Sequence, residues 1–164
     1  MGIGAVAAAV GTAGLLSRVA PARVLFVGTC GAYDDRLAIG DLLSAAFVLA
    51  TSLEEASGAA YRPGAEVSRW TPGFRLPLPE HGVAVTPAIT RTAAGAAALG
   101  RVAAVENLEL SGVFAACASA GIPVAAALAV ANRVGPRAHE EWREHHASAS
   151  RALVDALRVT VLAS

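Results

Sequence analysis

The sequence predicts an α/β protein, a mostly parallel, mixed and twisted sheet flanked by helices, and three observations predict it. Short apolar runs at 24–27, 42–50 and 124–130 lack strict alternation, as strands buried on both faces do. Helical segments, Ala-rich or amphipathic, lie among and after these runs, the pattern of a sheet covered on both sides. The chain has 164 residues and no internal repeat, a length that suits one domain, 1–164.

The elements follow in order. Gly2-Ile3-Gly4 opens into an Ala-rich helix, 5–17, that ends before Pro21. A short strand at 23–27 runs into the glycine turn Gly28-Thr29-Cys30-Gly31, and no helix separates it from the next strand, 42–50. Residues 51–82 hold Gly58, Pro63, Gly64, Pro72, Gly73, Pro77 and Pro79; they read as a long surface excursion, and excursions of that length are often functional. A short strand at 83–85, a helix at 93–99 and a strand at 101–105 come next. Gly121 ends a helix at 108–120, and a buried strand at 124–130 precedes the final helix, 138–162. That helix places Trp142, Ala149, Leu153, Ala156, Leu157 and Val161 on one face.

Composition removes several function classes. Thirteen cations balance thirteen acids, so no net field draws nucleic acid or an anionic membrane. The apolar run at 2–16 is shorter than the ~20 residues that span a bilayer, and Gly121-Ile122-Pro123 interrupts the one at 113–131. Cys30 and Cys117 lie far apart and fit no Cys-x-x-Cys or metal spacing. A cytoplasmic protein with two free thiols follows. With 55% hydrophobic but only 5% aromatic residues, the core is built from small side chains that each bury little area, at roughly 25 cal/mol per Å². A partner subunit would help such a core, so a homo-oligomer is expected.

Four segments invite chemistry. Gly2-Ile3-Gly4-Ala5-Val6-Ala7 fits a loose dinucleotide pattern, but a dinucleotide site needs a strand before it and an acid after the next strand, where Gly28-Thr29 stand. A plain helix start is the simpler account. The cluster from His139 to His146 lacks His at i and i+4, since Arg143 interrupts it. It reads as a solvated first turn with acids at the positive dipole end, and no metal or cofactor is expected. Val105-Glu106-Asn107-Leu108-Glu109 is more pointed, for it sets two carboxylates and an amide where an apolar strand becomes a helix. Asn132 closes the following buried strand. Open α/β sheets bind ligands at strand C-terminal ends, and two polar ends on what read as adjacent strands suggest a cleft; helix and loop capping is the alternative.

Together these segments resemble the nucleoside phosphorylase and nucleosidase family. Residues 2–16 resemble its glycine turn and Ala-rich helix. VLFVGTCGAYDDRLAIGD, 24–41, resembles its strand, its G-[ST]-[AC]-G turn and its following GD strand start. AVENLELSGVF, 104–114, resembles its VEMEA motif with one residue inserted, as futalosine hydrolases have it. AVANRVGPRAHEEW, 129–142, resembles their ISN strand end and next helix. The four motifs occur in the family's order and cover most of the chain.

The resemblance implies a small-molecule nucleoside as substrate. Glu109 matches the carboxylate that hydrogen-bonds the ribose 2′-hydroxyl, and Asn132 the residue that contacts the purine at N7 and its 6-substituent. Where adenine-cleaving relatives carry Asp, an amide can donate to N7 or a 6-oxo group but cannot act as an acid. That favours 6-oxopurine nucleosides such as futalosine, a substrate of menaquinone biosynthesis. Thr29, Cys30 and Gly31 match the turn lining base and ribose, Leu108 a residue under the sugar, and Ile89 one beside the base. Ile3 and Trp142 match the 5′-substituent pocket; core packing accounts equally well for Ile3, Leu108 and Trp142. Phe26 stands where phosphorylases carry an Arg for phosphate, so water is the expected acceptor.

The family's leading strand, whose end supplies an acid that activates water, has no counterpart here, because the sequence starts at the glycine turn. That role therefore falls on no residue of this sequence, and the sheet is expected to lack central neighbours. Three accounts stay open: a longer native start, a chain that binds nucleosides without cleaving them, and completion by a neighbouring subunit. A phosphorylase is a further alternative.

Overall fold

The computed structural model of the protein describes residues 2–64 and 68–160. Its first helix, α1 (Ala5–Val19), is followed by β1 (Val24–Ala32) and β2 (Leu42–Ala50), with no helix between the strands. The excursion expected at 51–82 is less irregular than its glycines and prolines suggest. It carries α2 (Leu53–Ser57), capped by the Ser52 hydroxyl, the two-residue strand β3 (Arg69–Trp70), and the start of β4 (Glu80–Val85). Then come α3 (Ala93–Leu99), β5 (Val105–Asn107), α4 (Leu110–Ser119), β6 (Val124–Arg133) and α5 (Ala138–Thr160). Residues 161–162, assigned to the last helix from sequence, lie outside the described residues, as does Val161 of its apolar face.

Two boundaries differ from expectation for one reason. The turn expected at Gly28-Thr29-Cys30-Gly31 is not a turn, because β1 runs on through it, paired with β6 from Val24 to Ala32 with one register shift between Cys30 and Gly31. The strand expected at 101–105 begins only at Val105, where pairing with β4 starts. Long-range pairing, not local glycine content, sets where these strands begin and end.

The strand order is β3-β2-β4-β5-β1-β6, and β2 also pairs with β6, which curls the sheet into a small closed barrel. The long ladders, β1–β6 and β2–β4, are parallel, whereas the antiparallel ones, β1–β5, β2–β3 and β2–β6, span two or three residues each. The expected shortage of neighbours is met in part by this closure. Among the described residues, β1 meets β5 only at Gly31 and Ala32, so along 24–30 its strand partner is β6 alone.

β6 is buried along nearly its whole length and divides two cores by its period of two. Ala125, Ala127, Ala129 and Ala131 face Ala149, Leu153 and Leu157 of α5, whose apolar stripe was visible in its spacing. Ala126, Leu128 and Val130 face the main core with Leu43, Val48, Val113 and Phe114. The alanines let α5 lie close to the sheet. On the other side α1 packs on α4 at Gly112, where a Cβ would collide with the carbonyl oxygen of Ala5 and the backbone nitrogen of Ala9. That close approach brings the start of α1 to the end of β5.

Candidate active site

A cavity of about 330 Å³ opens where β1, β5 and β6 reach their ends, within the range of small-molecule sites. Its floor is Thr29, Cys30 and Gly31 of β1. Ile89, Leu108, Glu109, Asn132, Ile3 and Trp142 line its walls. The nine residues singled out from sequence thus face one hollow. Their supposed layout needs one correction: the ends carrying Glu109 and Asn132 are not on adjacent strands, because β1 lies between β5 and β6. For that reason the Thr29 segment sits centrally, with the carboxylate on one side and the amide on the other.

Glu109 occupies the N-cap position of α4 but does not cap it with its side chain. Asn107 does that work instead: its Oδ1 accepts the N–H groups of Glu109 (2.8 Å) and Leu110 (2.9 Å), and its Nδ2 donates to the Thr29 carbonyl (3.2 Å). The Glu109 carboxylate is thereby free to turn to the cavity, where its Oε1 accepts the N–H of Gly4 at 3.1 Å. Asn132 lies beside Gly31, where a Cβ would stand 2.8 Å from its Nδ2 and 2.9 Å from Val134 Cγ2. Only glycine leaves room for that amide. One Asn132 N–H donates to the Arg133 carbonyl at 3.0 Å, which leaves the second N–H and the carbonyl for a ligand.

The first turn of α5 closes the cavity, since Ala138, His139 and Trp142 line it. Trp142 Nε1 donates to the Thr29 hydroxyl at 3.2 Å, and the indole stacks on His146 with centroids 4.3 Å apart. The His139 ring lies near parallel to the indole with centroids 6.2 Å apart. Ile3, 85% exposed, stands at the rim. Cys30 is buried, and that burial pushes its thiol far above the ordinary range, so it packs as a small apolar group and is no nucleophile.

Glu106, Asn107, Ala138 and His139 line the cavity without having been assigned a place in it from sequence. Glu106 and Asn107 lay inside the acidic segment 105–109, and polar side chains where an apolar run turns into a helix were the signal. Ala138 carried none, and His139 lay in the cluster read as a solvated helix turn, whereas it lines the cavity. Two carboxylates and no Arg therefore line the hollow. Phe26 is buried with its ring against Gly28 and does not reach it.

No family model matches the sequence, and no curated protein matches it. In structure the chain is a mixed sheet with barrel-like closure flanked by helices, a fold it shares with solved nucleosidases. It superimposes on the 5′-methylthioadenosine/S-adenosylhomocysteine nucleosidase of Helicobacter pylori with a TM-score of 0.86 and 16% identity, over 99% of this chain and 77% of that one. The futalosine hydrolase of the same organism superimposes with a TM-score of 0.83 and 16% identity, over 95% and 74%. The nucleosidase of Colwellia psychrerythraea, solved in complex with adenine, gives 0.78 and 19%, over 93% and 72%.

Proposed function

We propose that this chain is a nucleosidase that hydrolyses the N-glycosidic bond of a purine nucleoside, one with a 6-oxopurine base, as in futalosine. The observation that carries the reading is the single cavity in which Glu109 and Asn132 stand on either side of the Thr29 segment. Glycosidic cleavage passes through an oxocarbenium-like sugar. A carboxylate preorganised beside the ribose stabilises that charge, and Glu109 keeps acceptor capacity beyond its one bond to Gly4. The free N–H of Asn132 is suited to N7 or a 6-oxo group. The apolar rim of Ile3 and Trp142 suits a bulky, uncharged 5′-substituent.

Water as acceptor fits the anionic lining, since a phosphate dianion would meet two carboxylates and no Arg. The reading involves no metal or cofactor, and activity is expected without added phosphate. The direct test is release of hypoxanthine from inosine or futalosine by the purified protein. Glu109→Ala should reduce it by about 10²–10³-fold.

One feature favours a second reading, a nucleoside binder that does not cleave. The lining carboxylates are Glu106 and Glu109, and Glu106 is already engaged by Tyr33 and Thr90, which leaves water without an evident base. Saturable inosine binding with no base release would establish that reading in place of the first.

A homo-oligomer belongs to the same proposal. Val6 and Val10 are exposed on one face of α1, with Ile3 exposed just before the helix, and Val10 also lines an apolar groove of about 640 Å³ against α4. Apolar surface of this kind marks association sites. Sedimentation velocity should show a dimer or larger species, and a monomer at working concentrations would remove this part. A cytoplasmic location is likewise proposed, supported by two buried free cysteines and checked by cell fractionation. Among the described residues, no helix is long and apolar enough to cross a membrane.

A further inference from the structure

Glu106 takes no part in the chemistry proposed above, yet it is the most deeply buried acid of the cavity wall. The residue is 7% exposed. The bonds it accepts come from neutral groups: the Thr90 N–H to Oε1 at 3.2 Å, the Thr90 hydroxyl to Oε2 at 2.6 Å, and the Tyr33 hydroxyl to Oε2 at 3.2 Å. Taking a carboxylate out of water is costly unless such donors replace the lost hydration. The donors come from two separate places, the segment just after β1 and the loop 86–92 that joins β4 to α3.

That loop carries Ile89, which is 53% exposed and lines the cavity. Its other threonines are turned inward on the loop itself. The Thr86 hydroxyl donates to the Ala88 carbonyl at 2.8 Å, and the Thr92 hydroxyl caps α3 through Gly95 N–H at 3.0 Å. Thr90 is the residue whose backbone and side chain both reach β5. Ile89, its immediate neighbour, has no such tie of its own.

We infer that Glu106 is a positioning residue: it tethers loop 86–92 to β5 through Thr90, and so fixes Ile89 as a wall of the nucleoside cavity. The requirement is for an acceptor, not for a negative charge. A fixed wall touches substrate and transition state alike, so its loss shows in KM and leaves kcat nearly unchanged. The kinetic part rests on the nucleosidase reading; the tether itself does not.

The experiment compares Glu106→Leu, Glu106→Gln and Thr90→Val by steady-state kinetics with inosine and by amide hydrogen exchange. Glu106→Leu should raise KM about tenfold and speed exchange of the Thr90 amide by a similar factor, with kcat within about twofold. Glu106→Gln should recover most of that loss, because its carbonyl can face the Thr90 N–H while the two hydroxyls turn to accept from its NH₂. Thr90→Val, which keeps the acid, should move KM and exchange the same way by less, and it carries the test if the leucine variant does not fold. A Glu106→Gln variant that loses kcat tenfold at constant KM would overturn the inference, since charge at the reacting centre would then be the requirement. So would unchanged exchange at Thr90 in both other variants. A wild-type protein that releases no base refutes the nucleosidase reading, and the exchange data still decide the tether.

Discussion

Asn132 shows how much chemistry one atom type decides. Its amide can hold a 6-oxopurine but cannot protonate a departing base, and Gly31 gives it the space to stand in the cavity wall. Asn132→Asp puts an acid at the same place with almost the same volume. The ratio of adenosine cleavage to inosine cleavage should then rise by about tenfold or more, with the gain fading as pH rises and the new carboxyl ionises. Equal rates for both nucleosides in both proteins would mean that the residue does not touch the base. Its place and that of Glu109 at strand ends suggested a cleft, and the resemblance supplied their roles. The hydrogen bonds around them were not legible, because Asn107, Thr90 and Tyr33 reach their partners across sixteen to seventy-eight residues of chain.

At the scale of elements, the approach of α1 to α4 connects packing to the site. Gly4 reaches Glu109 only because Gly112 lets the two helices touch backbone to backbone. Gly112→Ala must push them apart, at a cost of about 1–3 kcal/mol for overpacking. A lowered thermal midpoint is expected, together with weaker nucleoside turnover, since Glu109 loses its backbone donor. A stable variant with unchanged activity would show that the Gly4 contact does not orient the carboxylate. The Ala-rich composition that announced α1 in sequence is also what makes so close a contact possible. Nothing in that pattern identified α4 as the partner.

For the whole molecule, the titrating groups define a pH window of stability. Hydrogen bonds from Arg36 hold Asp34 below the usual carboxylate range, and Arg62 does the same for Glu55. Their contribution is present above the ordinary carboxylate pKa and is lost as pH falls through the depressed values, modestly because both pairs are partly wet. Burial pushes Cys30 upward, and burial followed by the charge of Glu106 pushes Tyr33 upward. The unfolded chain ionises both first, so their contribution is complete at neutral pH and declines above about pH 8.5–10. Thermal midpoints measured across pH should therefore form a plateau with two falling limbs. Glu55→Gln should flatten the acid limb and Cys30→Ala the alkaline one; limbs unchanged in these variants would place the titration elsewhere.

The α/β class, most of the elements and the two polar strand ends could all be read from the chain, because periodicity, glycine placement and burial patterns are written among near neighbours. The continuation of β1 through its glycines, the barrel closure by β2 against β6, and the insertion of β1 between β5, which leads to Glu109, and β6, which carries Asn132, could not. Those features depend on register between segments far apart in sequence, where many pairings satisfy the same local pattern and only the packed core selects one. The cavity exists because of that selection.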